Sequence, residues 1–96
     1  MKTITHWIDG KPWEGSAERT GTVWNPATGE QAGEVALADV GVVDAAVETA
    51  RRAFEEWRHV PVTRRQNVMF DFRRIVADRR QEMAEVLTAE HGKTVA

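Results

Sequence analysis

QAGEVALADVGVVDAAVETARRAFEEW, residues 31–57, is the stretch where the chain changes its hydrophobic period. From Gln31 to Leu37, apolar and small residues alternate, placing Gly33, Val35 and Leu37 on one face of a strand. From Val43 on, Val43, Ala46, Val47, Ala50, Phe54 and Trp57 recur at three and four, the spacing of a core-facing helical stripe. Between the two patterns lies Asp39, whose short carboxylate can accept from first-turn amides and suits the positive end of a helix. Residues 1–38 therefore read as a strand-and-turn segment and 39–96 as a helical one, an α+β arrangement.

Toward the N-terminus, Thr5-His6-Trp7-Ile8, Asp9-Gly10 and Lys11-Pro12-Trp13-Glu14 spell a tight hairpin. Asp-Gly supplies the two positive-φ positions of a type I′ turn, and Pro12, lacking an amide donor, belongs on an edge. Glu14 to Arg19 reads as a polar loop. Thr22-Val23-Trp24 enters the turn Asn25-Pro26-Ala27-Thr28-Gly29-Glu30, and Gln31–Leu37 returns from it, so two hairpins in succession are expected.

Toward the C-terminus, the first helix should stop near Trp57 to His59, because Pro61 disfavours helical geometry at Val60. Glu48 with Arg52 and Arg51 with Glu55 sit one turn apart on its wet side. Thr63-Arg64-Arg65-Gln66 has the form of a capping box, opening a second helix near residue 62. Val68, Met69, Phe72, Ile75 and Val76 make its apolar stripe, with Arg64, Arg65, Arg73 and Arg74 mostly off it. Met83, Val86 and Leu87 continue the pattern after Arg79 and Arg80, as one bent helix or two meeting end to end. Gly92 is placed to close the last turn.

The chemistry is sparse. With 96 residues and no Cys, there is no disulfide framework, thiolate cluster or Cys nucleophile. His6, His59 and His91 are scattered without metal-ligand spacing, and the seven glycines form neither a dinucleotide nor a P-loop fingerprint. Trp7, Trp13, Trp24 and Trp57 read as packing residues. The net charge is −2, yet residues 58–80 carry seven Arg against Asp71 and Asp78. Such a run reads as the solvated face of an amphipathic helix, so no nucleic-acid partner is expected. No run reaches the length of a membrane span and the N-terminus lacks an apolar signal region, which makes a cytoplasmic location the expectation. The apolar faces are many for so thin a core, and some of that surface calls for a further layer.

A family resemblance adds what periodicity cannot. His6-Trp7-Ile8-Asp9-Gly10-Lys11, then Trp24-Asn25-Pro26-Ala27-Thr28-Gly29-Glu30, then Asp44-Ala45-Ala46-Val47 with Ala50, Ala53, Phe54 and Trp57, then Arg65, then Glu90-His91-Gly92-Lys93, resemble the start of the NAD(P)-dependent aldehyde dehydrogenase superfamily in order and spacing. Val68-Met69-Phe70-Asp71-Phe72-Arg73 and Thr88-Ala89-Glu90-His91-Gly92-Lys93 are most similar to its CoA-acylating methylmalonate-semialdehyde dehydrogenase branch.

The resemblance implies the N-terminal portion of an α/β fold, an incomplete part of a cofactor-binding domain. It implies oxidation of malonate or methylmalonate semialdehyde with NAD and CoA as co-substrates, through a Cys thioester, with loss of carbon dioxide. No catalytic, cofactor-binding or metal residue is carried over to this stretch. Glu90, His91 and Lys93 match landmarks that read as structural, and the Trp24 carbonyl matches the edge of a monovalent-cation site of some relatives. The expected partners are the remainder of its own chain and, when intact, further copies in a dimer or tetramer. Neither NAD nor CoA is expected to bind these residues alone, and the piece alone is expected to be inactive. The other readings are a CoA-independent aldehyde dehydrogenase with this N-terminus and a free-standing helical interaction module.

Overall fold

Strand gives way to helix at Asp39, where the change of period predicts it. Asp39 is extended (φ −86°, ψ 177°), and its carboxylate accepts from the Val42 amide at 2.8 Å. The computed structural model describes residues 2–95. In chain order it has β1 (Lys2–Ile4), β2 (Trp7–Ile8), β3 (Lys11–Pro12), β4 (Arg19–Trp24), β5 (Gln31–Leu37), α1 (Val40–Trp57), α2 (Val62–Asp78) and α3 (Arg80–His91). Two compact units divide them: one runs up to Trp24 and resumes over Glu30–Arg58, and the other joins Asn25–Gly29 to the chain from His59 onward.

In the first unit both expected hairpins form. β2 and β3 pair antiparallel, Trp7 opposite Pro12 and Ile8 opposite Lys11. Their turn has Asp9 at φ 58° and Gly10 at φ 73°, the pair of left-handed residues that a type I′ turn requires. The Trp13 amide extends the ladder by one bond to the His6 carbonyl at 2.9 Å. β4 pairs antiparallel with β5, with a bulge where Val23 faces Gly33 and Trp24 faces Gln31. β4 begins at Arg19, the last residue of the expected loop. The sequence pattern gave no sign of β1, which adds parallel to β5 in the order β1-β5-β4. Three residues are too few to show a period of two.

The second unit holds α2 and α3. Val60 and Pro61 break the chain after α1, and α2 starts at Val62. The amides of Arg64 and Arg65 both donate to the Pro61 carbonyl. The expected capping box is therefore not formed: Pro61 holds the cap position and Thr63 lies inside the helix, where its hydroxyl makes no cap bond. α2 and α3 meet end to end at Arg79, whose φ of −105° and ψ of 20° leave the helical region.

One further expectation is corrected. Glu48 pairs with Arg51, not Arg52, and Arg51 does not reach Glu55: its Nη2 and Nε donate to the two Glu48 carboxylate oxygens at 2.8 and 3.1 Å. A guanidinium fork that engages both oxygens from one turn away leaves Arg52 to the Thr49 hydroxyl. On β5, Val35 and Leu37 do share a face, both side chains lying within 4 Å of where a β-carbon on Gly21 would stand, while the deepest apolar side chain, Ala36, is on the opposite face and Leu37 is exposed.

The core is thin. Among the described residues, Ala36 is the one buried apolar side chain. The α1 stripe forms with the expected spacing, yet Val47 and Phe54 are 62% and 54% exposed. Trp7 and Trp24 are exposed as well, against the expectation that they pack. Exposed apolar residues are ordinary singly, but continuous helical stripes of them are not. No helix of the described residues is long and apolar enough to cross a membrane.

Candidate functional site: a motif junction and two apolar troughs

Asn25 organises the turn that links the two hairpin arms of the sequence. The Ala27 amide donates to Asn25 Oδ1 at 2.9 Å, and the Gly29 amide donates to the Asn25 carbonyl at 2.8 Å. Pro26 has its φ fixed by the ring, and Gly29 takes the left-handed φ of 76°. The same unit contains the end of α3. Gly92 closes that helix at φ 73°, its amide donating to the Thr88 carbonyl at 2.8 Å. A β-carbon on Gly92 would stand 3.3 Å from Pro26 Cγ. Two motifs far apart in sequence, Asn25-Pro26-Ala27-Thr28-Gly29 and Glu90-His91-Gly92-Lys93, thus meet at Pro26 and Gly92. The contact itself is built from backbone and caps.

The other singled-out residues do not converge. His6 lies beside Trp13, ring centroids 4.8 Å apart and tilted by 51°. His59 is exposed after α1, and His91 is exposed in the last turn of α3. Among the described residues, no group of three or more His, Cys, Asp or Glu is placed to hold a metal ion. Trp24 ends β4 opposite Gln31, and Lys93 lies exposed beyond α3.

Two concavities remain. Between α2 and α3 lies a trough of ≈ 640 Å³ floored by Phe72, Ile75, Met83 and Leu87, with Arg79, Glu82 and Glu90 at its rim. Arg79 and Glu82 approach to 3.9 Å there, both well exposed. In the first unit, Trp7, Ile8, Asp9 and Gly10 face Ala46, Ala50 and Ala53 of α1 across ≈ 480 Å³. Ligand sites pair an apolar wall with a few convergent polar groups, whereas the acidic groups here, Glu82 and Glu90 in the first trough and Asp9 in the second, stand singly at the edges of apolar walls with no His or Cys beside them. Linings of this kind suit packing better than ligand chemistry.

Electrostatics agree with that reading. The Arg51 fork holds the Glu48 carboxyl below its usual range against a small desolvation effect, with help from the Arg52 charge. This is an exposed pair on the wet side of α1, remote from both troughs in its chemistry. Sequence reasoning missed one feature: Arg65, placed mostly off the α2 stripe, is half-buried and its Nε is sealed from solvent without an acceptor. The signal was present, since Arg65 precedes Val68 and Met69 by three and four. Thr88 Oγ1 is sealed in the same way, one turn after half-buried Ala84 on the small-residue side of α3.

Known proteins share this stretch. The model of the aldehyde dehydrogenase family matches residues 13–96. Malonate-semialdehyde dehydrogenase 2 of Shouchella clausii is 41% identical over 95 residues, which are 99% of this chain and 20% of that protein. The mitochondrial acylating methylmalonate-semialdehyde/malonate-semialdehyde dehydrogenase of Mus musculus is 35% identical over 96 residues, 100% of this chain and 18% of that one. A Sinorhizobium meliloti 1021 protein described as a methylmalonate-semialdehyde dehydrogenase, solved with NAD, superposes with a TM-score of 0.94 at 42% identity. That match covers 99% of this chain and 19% of the other, so the chain spans about a fifth of the length of its relatives. The expected fold is thereby met: strands followed by three helices, as in part of that larger structure. The chain belongs to the aldehyde dehydrogenase family.

Proposed function

We propose that these residues are the N-terminal stretch of a CoA-acylating methylmalonate-semialdehyde dehydrogenase, contributing scaffold and no reactive group. The intact enzyme converts methylmalonate or malonate semialdehyde, NAD and CoA into propanoyl-CoA or acetyl-CoA, carbon dioxide and NADH. The observation that carries this reading is the near-complete superposition on the Sinorhizobium protein, over a fifth of its length. The acylating name of the mouse relative supports the role of CoA.

The residues present do not fit NAD. A dinucleotide pyrophosphate sits on free amides at a glycine-rich helix start. Here α1 opens behind Asp39, whose negative carboxylate already accepts from the Val42 amide and would repel a phosphate, and neither α1 nor α2 is preceded by a Gly-x-Gly-x-x-Gly turn. No step of the reaction is therefore assigned to this stretch. Residues 1–38 and 39–96 are read together as an incomplete part of a cofactor-binding domain, in a cytoplasmic enzyme that assembles as a dimer or tetramer. Their exposed stripes suit a piece on which more of the same polypeptide packs.

The test is an NADH-formation assay on the full-length protein that carries this stretch, with methylmalonate semialdehyde, with and without CoA. Turnover that requires CoA, together with an inert 96-residue chain, is the expected result. Turnover indifferent to CoA, or any turnover by the 96-residue chain alone, refutes the reading.

A further inference from the structure

We draw no further inference here: the strongest candidate, the apolar trough between α2 and α3 floored by Phe72, Ile75, Met83 and Leu87, is an unpartnered face, and nothing in the structure shows which segment covers it.

Discussion

The Lys2 carbonyl oxygen lies 2.5 Å from the point where a β-carbon on Gly33 would stand. The two residues are register partners in the parallel β1–β5 pairing. Only a residue without a side chain lets β1 approach there, and the obstacle is backbone that cannot rotate away. Gly33→Ala should therefore loosen β1 while leaving the β4–β5 hairpin paired, at a cost of about 1–3 kcal/mol. Amide exchange resolved by residue checks it. Protection of β1 that survives the substitution would show that the strand has another anchor.

Asp39 supplies the one side-chain cap bond seen at the start of α1, from the Val42 amide. Asp39→Ala should cost about 1 kcal/mol, whereas Asp39→Asn should keep most of the cap, since its amide oxygen can accept the same bond. Urea titration followed by circular dichroism at the helix band compares the three chains. Equal midpoints for Ala and Asp would mean that tertiary contacts, not the cap, set this helix start.

How much of this was legible follows from the length of each signal. α1 and the Asp9-Gly10 turn were readable because a stripe of several turns and a dipeptide with a steric requirement both speak locally. The second hairpin was readable for the same reason, through Pro26 and Gly29. β1 was not, because its three residues owe their strand geometry to β5, a partner distant in sequence. The Thr63–Gln66 pattern placed the start of α2 correctly, near residue 62, but named the wrong cap: Pro61, with its fixed φ, holds the cap position and Thr63 lies inside the helix. The meeting of Pro26 with Gly92 could not be read from either motif alone. As for the site, the sequence holds no Cys, and among the described residues no group of three or more His, Cys, Asp or Glu is placed to hold a metal ion.

Glu48 offers a test by pH. Its carboxyl is held low mainly by the Arg51 hydrogen bonds, so the folded chain binds that proton less readily than the unfolded chain does. The pair therefore contributes above the ordinary carboxylate range, and its contribution is lost as pH falls through the lowered value. Raising pH from neutrality changes nothing at this group. Arg51→Gln should move the Glu48 titration upward, toward the usual range, in carboxyl-detected NMR. Added salt should shrink the difference, because both partners are exposed. A Glu48 titration unchanged by the substitution would assign the shift to another charge.

Arg65 invites the opposite kind of substitution. Its Nε is sealed without an acceptor, and a buried donor left unpaired costs roughly 1–3 kcal/mol. Arg65→Met keeps the apolar stem on the α2 stripe and removes the donor. The 96-residue chain carrying it should be as stable as the parent or more so by thermal melting, although Arg65 is a landmark of the family resemblance. A clear loss of stability would reveal an acceptor for that guanidinium in solution.

The trough between α2 and α3 makes the last prediction, because it separates packing surface from structural core. Met83 and Leu87 are 51% and 47% exposed, so the isolated chain gains little from them. Replacing both by Gln should lower the binding of an apolar-surface dye several-fold while shifting the chain's own stability by less than about 1 kcal/mol. The parent chain should bind the dye readily and, lacking a glycine-rich helix start for a pyrophosphate, give no heat on titration with NAD. The same double substitution in a full-length protein should behave differently, since there an apolar wall facing packed polypeptide would acquire two polar groups without partners, each costing roughly 1–3 kcal/mol. Dye fluorescence and urea midpoints on both proteins decide the matter. A double variant that destabilises the short chain as much as the long one would mean that the trough is already core within these 96 residues.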